Sequence, residues 1–302
     1  MIPDDHARIS ADTVHLSAAG DATATIALRG AEPLSWRVGG RELLWSGDPE
    51  HWDFCAPILF PRVGASSGGT IRVGDTHYPM PQHGFARRSA FALIEQDGAE
   101  ARLRMSASEA TREHYPFRFE LDVSARLGPT SLSLDFAVAN TDGVDLPYAI
   151  GFHPAFPWPL AGTADRTGHR VMFEADESDR VPEVAAGGLL ARRSRRIPLT
   201  GRELPLSPDL FTEALVFLDA RSRTMRFEAP DGASVVMEAE NFPHLAVWSR
   251  PTAPFLSLEC WSGHADWEDA TGELRDRAGM TTLGPGEVGR HGVTLRWEPA
   301  RG

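Results

Sequence analysis

Between residues 118 and 139 apolar and polar positions alternate almost without a break. In RFELDVSAR (118–126) Phe119, Leu121, Val123 and Ala125 alternate with charged or small polar residues. In TSLSLDFAVA (130–139) Leu132, Leu134, Phe136 and Val138 do the same. Successive side chains on a strand point to opposite faces, so each run predicts a strand with one apolar and one wet face. Leu127-Gly128-Pro129 between them reads as a turn, which makes the pair a predicted hairpin. Similar short runs occur at 23–29, 101–107, 169–175, 214–220, 224–230, 233–240, 245–250, 255–261 and 293–299, with 28 glycines and 23 prolines as punctuation. Helical patterning is confined to SASEATREHYPF (106–117), enough for one turn or two, and SPDLFTEA (207–214). Many strands with so little helix predict an all-β fold, a large antiparallel β-sandwich. No repeat, low-complexity tract or linker divides the chain, so residues 1–302 read as a single domain.

Composition narrows the function classes. Hydrophobic residues at 42% and charged residues at 24% fit an ordinary soluble protein. No run approaches the roughly 18 apolar residues of a membrane helix. The start, MIPDDHARIS, has acids where a signal peptide would carry basic residues and an apolar run, so a cytoplasmic location is expected. Two cysteines, Cys55 and Cys260, make a poor disulfide framework and fit a reducing compartment. The net charge of −12 argues against nucleic acid or an anionic membrane as partner. One basic cluster, ARRSRR at 191–196, reads as a solvated loop, with a phosphate site as the sharper alternative. All 30 basic residues are arginine, so lysine imines and Walker-type phosphate loops are excluded.

The chain carries no GxSxG elbow, HExxH, paired CxxC or strand-to-helix GxGxxG. Its eleven histidines show no metal-ligand spacing, so no metal is expected. Four stretches hold polar residues in stiff or apolar surroundings. In APILFPRVGASSGG (56–69), Arg62 is either a surface arginine closing a strand or a presented cation. In PMPQHGFARR (79–88) a stiffened loop ends in His83-Gly84, which can present an imidazole or merely expose one. In GFHPAFPWP (151–159), Pro154 restricts His153, which is either a buried structural ring or a presented proton donor. In APFLSLECWSG (253–263) a strand would put Phe255, Ser257, Glu259 and Trp261 on one face and Leu256, Leu258 and Cys260 on the other. The aliphatic face should enter the core. Glu259 then lies beside a tryptophan, paired with an arginine across the sheet or placed as in a sugar site, where a ring packs C–H groups and an acid binds hydroxyls.

The order LFPRVG, PQHGFAR, GFHPAF and then WSRPTAPFLSLECWSG resembles the aldose 1-epimerase (galactose mutarotase) superfamily, and within it the LacX-like branch, from about residue 30 to the C-terminus. The resemblance implies an antiparallel supersandwich and interconversion of the α and β anomers of a free aldohexose, with a monosaccharide substrate and no cofactor. It implies that His153 is the general acid on the ring oxygen and Glu259 the general base on the anomeric hydroxyl. It implies that Arg62 and His83 bind sugar hydroxyls. The family's substrate-binding aspartate has Asp209, in SPDLF, as its candidate here. A monomer or homodimer is expected. Two other readings stand beside this one. A hexose-6-phosphate 1-epimerase of the same superfamily would draw on Arg87, Arg88 or the 191–196 cluster. A carbohydrate-binding or sugar-sensing sandwich would need the aromatics but no opposed acid and base.

Overall fold

The predicted hairpin forms the middle of a nine-stranded antiparallel sheet. Phe119–Leu127 and Ser131–Asn140 pair from Phe119 opposite Asn140 to Leu127 opposite Leu132. The Gly128 N–H closes the turn on the Ser131 carbonyl at 2.8 Å. Phe119, Leu121, Val123 and Ala125 are buried and the residues between them are not, as the alternation requires. The structure, a computed structural model, describes residues 12–160 and 163–300; the N-terminal stretch MIPDDHARIS, read above for its lack of a leader pattern, lies outside them. No helix among the described residues is long and apolar enough to cross a membrane.

From one edge to the other the nine strands are Glu203–Pro205, Arg170–Phe173, Thr224–Glu228, Ser234–Glu240, Val288–Glu298, Ser131–Asn140, Phe119–Leu127, Glu100–Ser106 and Ala92–Asp97. A second sheet runs Leu215–Phe217, His244–Trp248, Phe255–Trp261, Gly151–Phe152 and Ile58–Leu59, and Ala155–Pro157 also pairs with Phe255–Trp261. A third carries Thr13–Ala18, Ala22–Ala27, Pro33–Val38 and Arg41–Glu42. Leu121, Leu134 and Phe136 of the large sheet and Phe152, Val247, Leu256 and Leu258 of the second join one apolar cluster that reaches from Val14 to Trp297. Each buried side chain of this size stabilises by about 1.5–3 kcal/mol, so the contact between the sheets is the main favourable term. The fold is a large antiparallel β-sandwich with almost no helix.

That packing fixes the site. Leu256, Leu258 and Cys260 face the core, so Phe255, Ser257, Glu259 and Trp261 face outward from the second sheet. The outward face is not wet, because all seven residues of Phe255–Trp261 are buried. The two helical stretches are single turns. Glu109–Arg112 is capped reciprocally by Ser108 and Thr111, and Pro208–Leu210 is a 3-10 turn.

One expectation is overturned. ARRSRR is not a loop: Leu190–Arg196 is a strand paired with Arg180–Val184. This ribbon is held by charges rather than by an apolar face, so it has no period-two signal. Arg192 pairs with Asp269, Arg193 with Glu183, Arg195 with Glu213 and Arg196 with Asp179. The edge strand Ala92–Asp97 was missed for a related reason. It is exposed at every position and has no buried face to pattern.

Candidate active site

His153 interrupts a strand. On one side of it Phe152 pairs with Cys260, and on the other Ala155 pairs with Ser257. The register is the same on both sides, so His153 falls opposite Glu259, where cross-strand neighbours are close. Pro154 supplies no N–H to the ladder, which explains why the pairing lapses there. The Leu258 N–H still donates to the Pro154 carbonyl at 3.2 Å, and the His153 N–H donates at 3.1 Å to the Pro57 carbonyl, continuing the pairing with Ile58–Leu59 on the other side. The two side chains meet on the outward face, with Nε2 of His153 3.2 Å from Oε2 of Glu259.

Both groups are almost out of water, at 6% and 1% exposure. Burial holds the Glu259 carboxyl well above the usual carboxylate range, opposed in part by the Trp261 indole. Burial pushes His153 well below the ordinary imidazole value, and the neighbouring His83 adds to this. Both directions favour a protonated carboxyl beside a neutral ring. Oε2 also accepts the Trp261 Nε1–H at 3.1 Å, while Oε1 makes no polar contact among the described residues. One carboxylate oxygen is therefore fixed and the other is presented. Among the described residues the glutamate has no arginine partner across the sheet. Its partners are an imidazole and an indole.

His83 stands next to His153, with ring centroids 5.9 Å apart. Its backbone is left-handed, φ +66°, and is held by a mutual bond: the His83 N–H donates to the Gly64 carbonyl at 2.8 Å, and the Gly64 N–H donates to Nδ1 at 3.1 Å. Gly64 is itself at φ +70°, where a Cβ would lie 2.4 Å from that of Ala265. Because Nδ1 accepts, the proton of the neutral ring is on Nε2, a donor for a ligand oxygen. Burial, with Arg87 nearby, lowers the His83 pKa to about 3, so the ring stays neutral.

The other two predicted residues are placed differently. Arg62 is fully buried, donating from Nη2 to Asp266 at 2.8 Å, and Asp266 also binds Arg277 and accepts the Ser67 N–H. No polar contact joins Arg62 to the His153–Glu259 pair, though its buried Nε has no partner among the described residues. Asp209 is exposed on the 3-10 turn and makes no polar contact with the pair.

Sequence reasoning missed four contributors. Trp52 lies 4.8 Å from His153 between ring centroids and Trp248 5.4 Å, so the imidazole sits against two indoles. Trp52 comes from a segment without periodicity, and nothing in the sequence marks it. Ser257, 2.7 Å from Nδ1 of His153, was on the predicted face beside Glu259 but carried no assigned role. Asp266 pairs with an arginine 204 positions away, a separation no local pattern reports. Among the described residues no three His, Cys, Asp or Glu side chains form a group able to hold a metal ion.

A neutral donor, a buried acid–base pair sharing hydrogen-bond reach, and flanking indoles suit reversible proton exchange with a small polyhydroxylated ring. Comparisons with known proteins give the family. The family model for aldose 1-epimerase matches residues 12–296. Protein LacX (plasmid) of Lactococcus lactis subsp. lactis is 31% identical over 258 residues, covering 82% of this chain and 86% of the relative. The structure of a galactose mutarotase-like protein from Lactobacillus casei ATCC 334 superposes with a TM-score of 0.87 at 28% identity, over 95% of this chain and all of that one. A galactose mutarotase related enzyme from Lactobacillus acidophilus gives 0.86 at 25% identity, over 95% and 98%.

Proposed function

Because this chain belongs to the aldose 1-epimerase family, we propose that it interconverts the α and β anomers of a free aldohexose, with Glu259 as base and His153 as acid. The observation that carries this reading is the contact between Nε2 of His153 and Oε2 of Glu259 at 3.2 Å, with Oε1 left unbonded. A ring nitrogen and a carboxyl oxygen at that distance need a hydrogen between them, carried by Nε2 or by Oε2, so a proton can pass from one group to the other.

Ring opening starts once the proton on Oε2 passes to Nε2, which leaves Glu259 a carboxylate and His153 an imidazolium, and it then uses both ends of the pair. Oε1 of Glu259 takes the anomeric hydroxyl proton while the His153 imidazolium gives its Nε2 proton to the ring oxygen. The bond from the anomeric carbon to the ring oxygen breaks and its electrons stay on that oxygen. The hydroxyl becomes the aldehyde carbonyl. The pair passes from imidazolium and carboxylate to neutral ring and carboxylic acid, the arrangement that burial favours. Rotation of the aldehyde and reclosure from its other face reverses both transfers and restores the pair. The proton count of the protein never changes.

The rest of the site supports this assignment. Nε2–H of His83 donates to a sugar hydroxyl, and the faces of Trp52 and Trp248 pack its C–H groups. Arg62, through its unpartnered Nε, and Asp209, from its exposed turn, are the further substrate-binding positions of this reading.

Polarimetry on freshly dissolved α-glucose and α-galactose tests it. The expected result is an approach to anomeric equilibrium faster than the spontaneous rate and proportional to protein concentration. Hexose-6-phosphates belong in the same experiment, because Arg87 and Arg88 lie over the Phe54 ring, 4.8 and 5.5 Å from its centroid, and Arg87 acts on His83 and His153. Tight sugar binding with no rate above the spontaneous one would leave a sugar-binding sandwich instead.

A further inference from the structure

We infer that Ser257 is a positioning residue for the proton transfer: it holds the His153 ring with Nδ1 protonated and so directs Nε2 to Glu259. The inference rests on the acid–base reading above and extends it to a residue that touches neither the sugar nor the reacting atoms.

Ser257 is fully buried and lies two positions before Glu259 on the outward face of Phe255–Trp261. Its hydroxyl donates to the Pro154 carbonyl at 2.8 Å, and its oxygen lies 2.7 Å from Nδ1 of His153. A serine hydroxyl has one hydrogen. With that hydrogen on a carbonyl, which can only accept, the contact to the ring has to be Nδ1–H donating to Oγ. The nitrogen facing Glu259 is then the one whose proton comes and goes. The imidazolium, needed to protonate the ring oxygen, also finds acceptors on both sides: Oγ of Ser257 and Oε2 of Glu259. Without Ser257 the Nδ1–H of that cation would be buried with no partner, which disfavours the cation.

The titratable and charged groups facing the ring are Glu259 at 3.2 Å, His83 with its centroid at 5.9 Å, and Arg87, whose charge acts on it. None of them bonds Nδ1, so the serine effect is separable from theirs.

Ser257→Ala removes the acceptor and adds no bulk. Turnover should fall about 10- to 100-fold, the worth of a hydrogen bond to a charged group, with KM little changed. The acid limb of the kcat/KM profile should move to lower pH, because taking up a second proton requires the cation. Ser257→Thr, which keeps the hydroxyl, should recover much of the loss. A readout independent of turnover is the long-range ¹H–¹⁵N spectrum of ¹⁵N-histidine-labelled protein, with His153 assigned by its loss in His153→Asn. The wild type should show Nδ1 protonated, and Ser257→Ala should shift the ring towards the Nε2–H form. A wild-type spectrum with Nε2–H and a bare Nδ1 overturns the inference, whether or not the protein is a mutarotase. If the spectrum is as expected but no anomer exchange is catalysed, the acid–base reading fails and the tautomer assignment stands.

Discussion

The two sheets each turn one face away from the shared core, and the two faces treat charge in opposite ways. On the nine-stranded sheet the outer face is a lattice of ion pairs in partial contact with water. Arg104 binds Asp122 and Glu120 at 2.5 and 2.7 Å, Arg296 binds Glu238 at 2.6 Å, and Arg170 and Arg226 hold Glu228 and Glu298. On the second sheet the outer face has few ionisable groups, and they are buried. His153 and Glu259 meet there in the neutral form that burial favours, and nearby the charged Arg62 and Arg277 share Asp266. Exposed pairs each contribute little, and buried ones are expensive to desolvate. A fold that needed only stability would fill the second face with apolar side chains, as Trp261, Leu59 and Val216 already do in part. Ionisable groups kept there against their desolvation cost are what a reactive site requires.

The sharpest way to break this contrast is Glu259→Gln, which keeps shape and hydrogen bonding but removes the base. Turnover should fall roughly 10²- to 10⁴-fold, with sugar binding changed much less. His153→Asn should lose a similar factor. Wild-type anomer exchange by a normally folded Glu259→Gln protein, checked by circular dichroism, would show that the glutamate is not the base. Next in size is Asp266→Asn. It leaves two buried guanidinium groups without their carboxylate and should cost about 3–5 kcal/mol of stability. A urea titration reads this directly, and a loss under about 1 kcal/mol would mean that the network is solvated like the opposite face.

How far the sequence shows these faces depends on what covers each. The hairpin at 118–139 is legible because one face meets the core and the other meets water, so burial and alternation coincide. FLSLECW is legible for its inner residues and for the direction of Glu259, since period two fixes direction whatever lies outside. Its outer face is buried as well, a fact no strand pattern can report, because the covering indoles of Trp52 and Trp248 come from other segments. The strand at Leu190–Arg196 was hidden because ion pairs replace an apolar stripe. His153 and Glu259 were found through flanking motifs, whereas their mutual contact and the Ser257 contact depend on a register carried across Pro154. The burial of Arg62 was unreadable too, because its partner Asp266 is distant in sequence.

The neutral imidazoles of the second face give a third test, through pH. Burial lowers His83 to about 3 and His244 to about 4, and holds His153 well below its ordinary value. In the unfolded chain each takes a proton near pH 6.5, so below that value the unfolded state binds more protons than the native one. Their contribution is fully present above about pH 6.5 and is lost as the pH falls towards the folded values. At pH 4.5 each lowered group should have cost up to about 2.7 kcal/mol relative to pH 7. Chemical denaturation at the two pH values, in wild type and in His83→Gln, isolates one of them. The variant should lose less stability on acidification. An identical loss would mean that His83 protonates in the native protein as it does in water.

The smallest effect belongs to the nine-stranded face. Arg104 is a third exposed, yet its bonds to Asp122 are bidentate, from Nε and Nη2, and a second acid stands beside it. Hydrogen bonding to Asp122 raises its pKa, so it stays charged throughout any working range. Bidentate geometry favours a measurable contribution, and exposure limits it, because water screens the pair and solvates the carboxylates when the arginine is gone. Arg104→Ala should therefore cost about 1 kcal/mol or less, shrink further in high salt, and leave anomer exchange unchanged. Salt is the discriminating variable. A loss above about 3 kcal/mol that persists at 1 M salt would place this pair with the buried ones. The two faces would then differ in what their charges touch rather than in how dry they are.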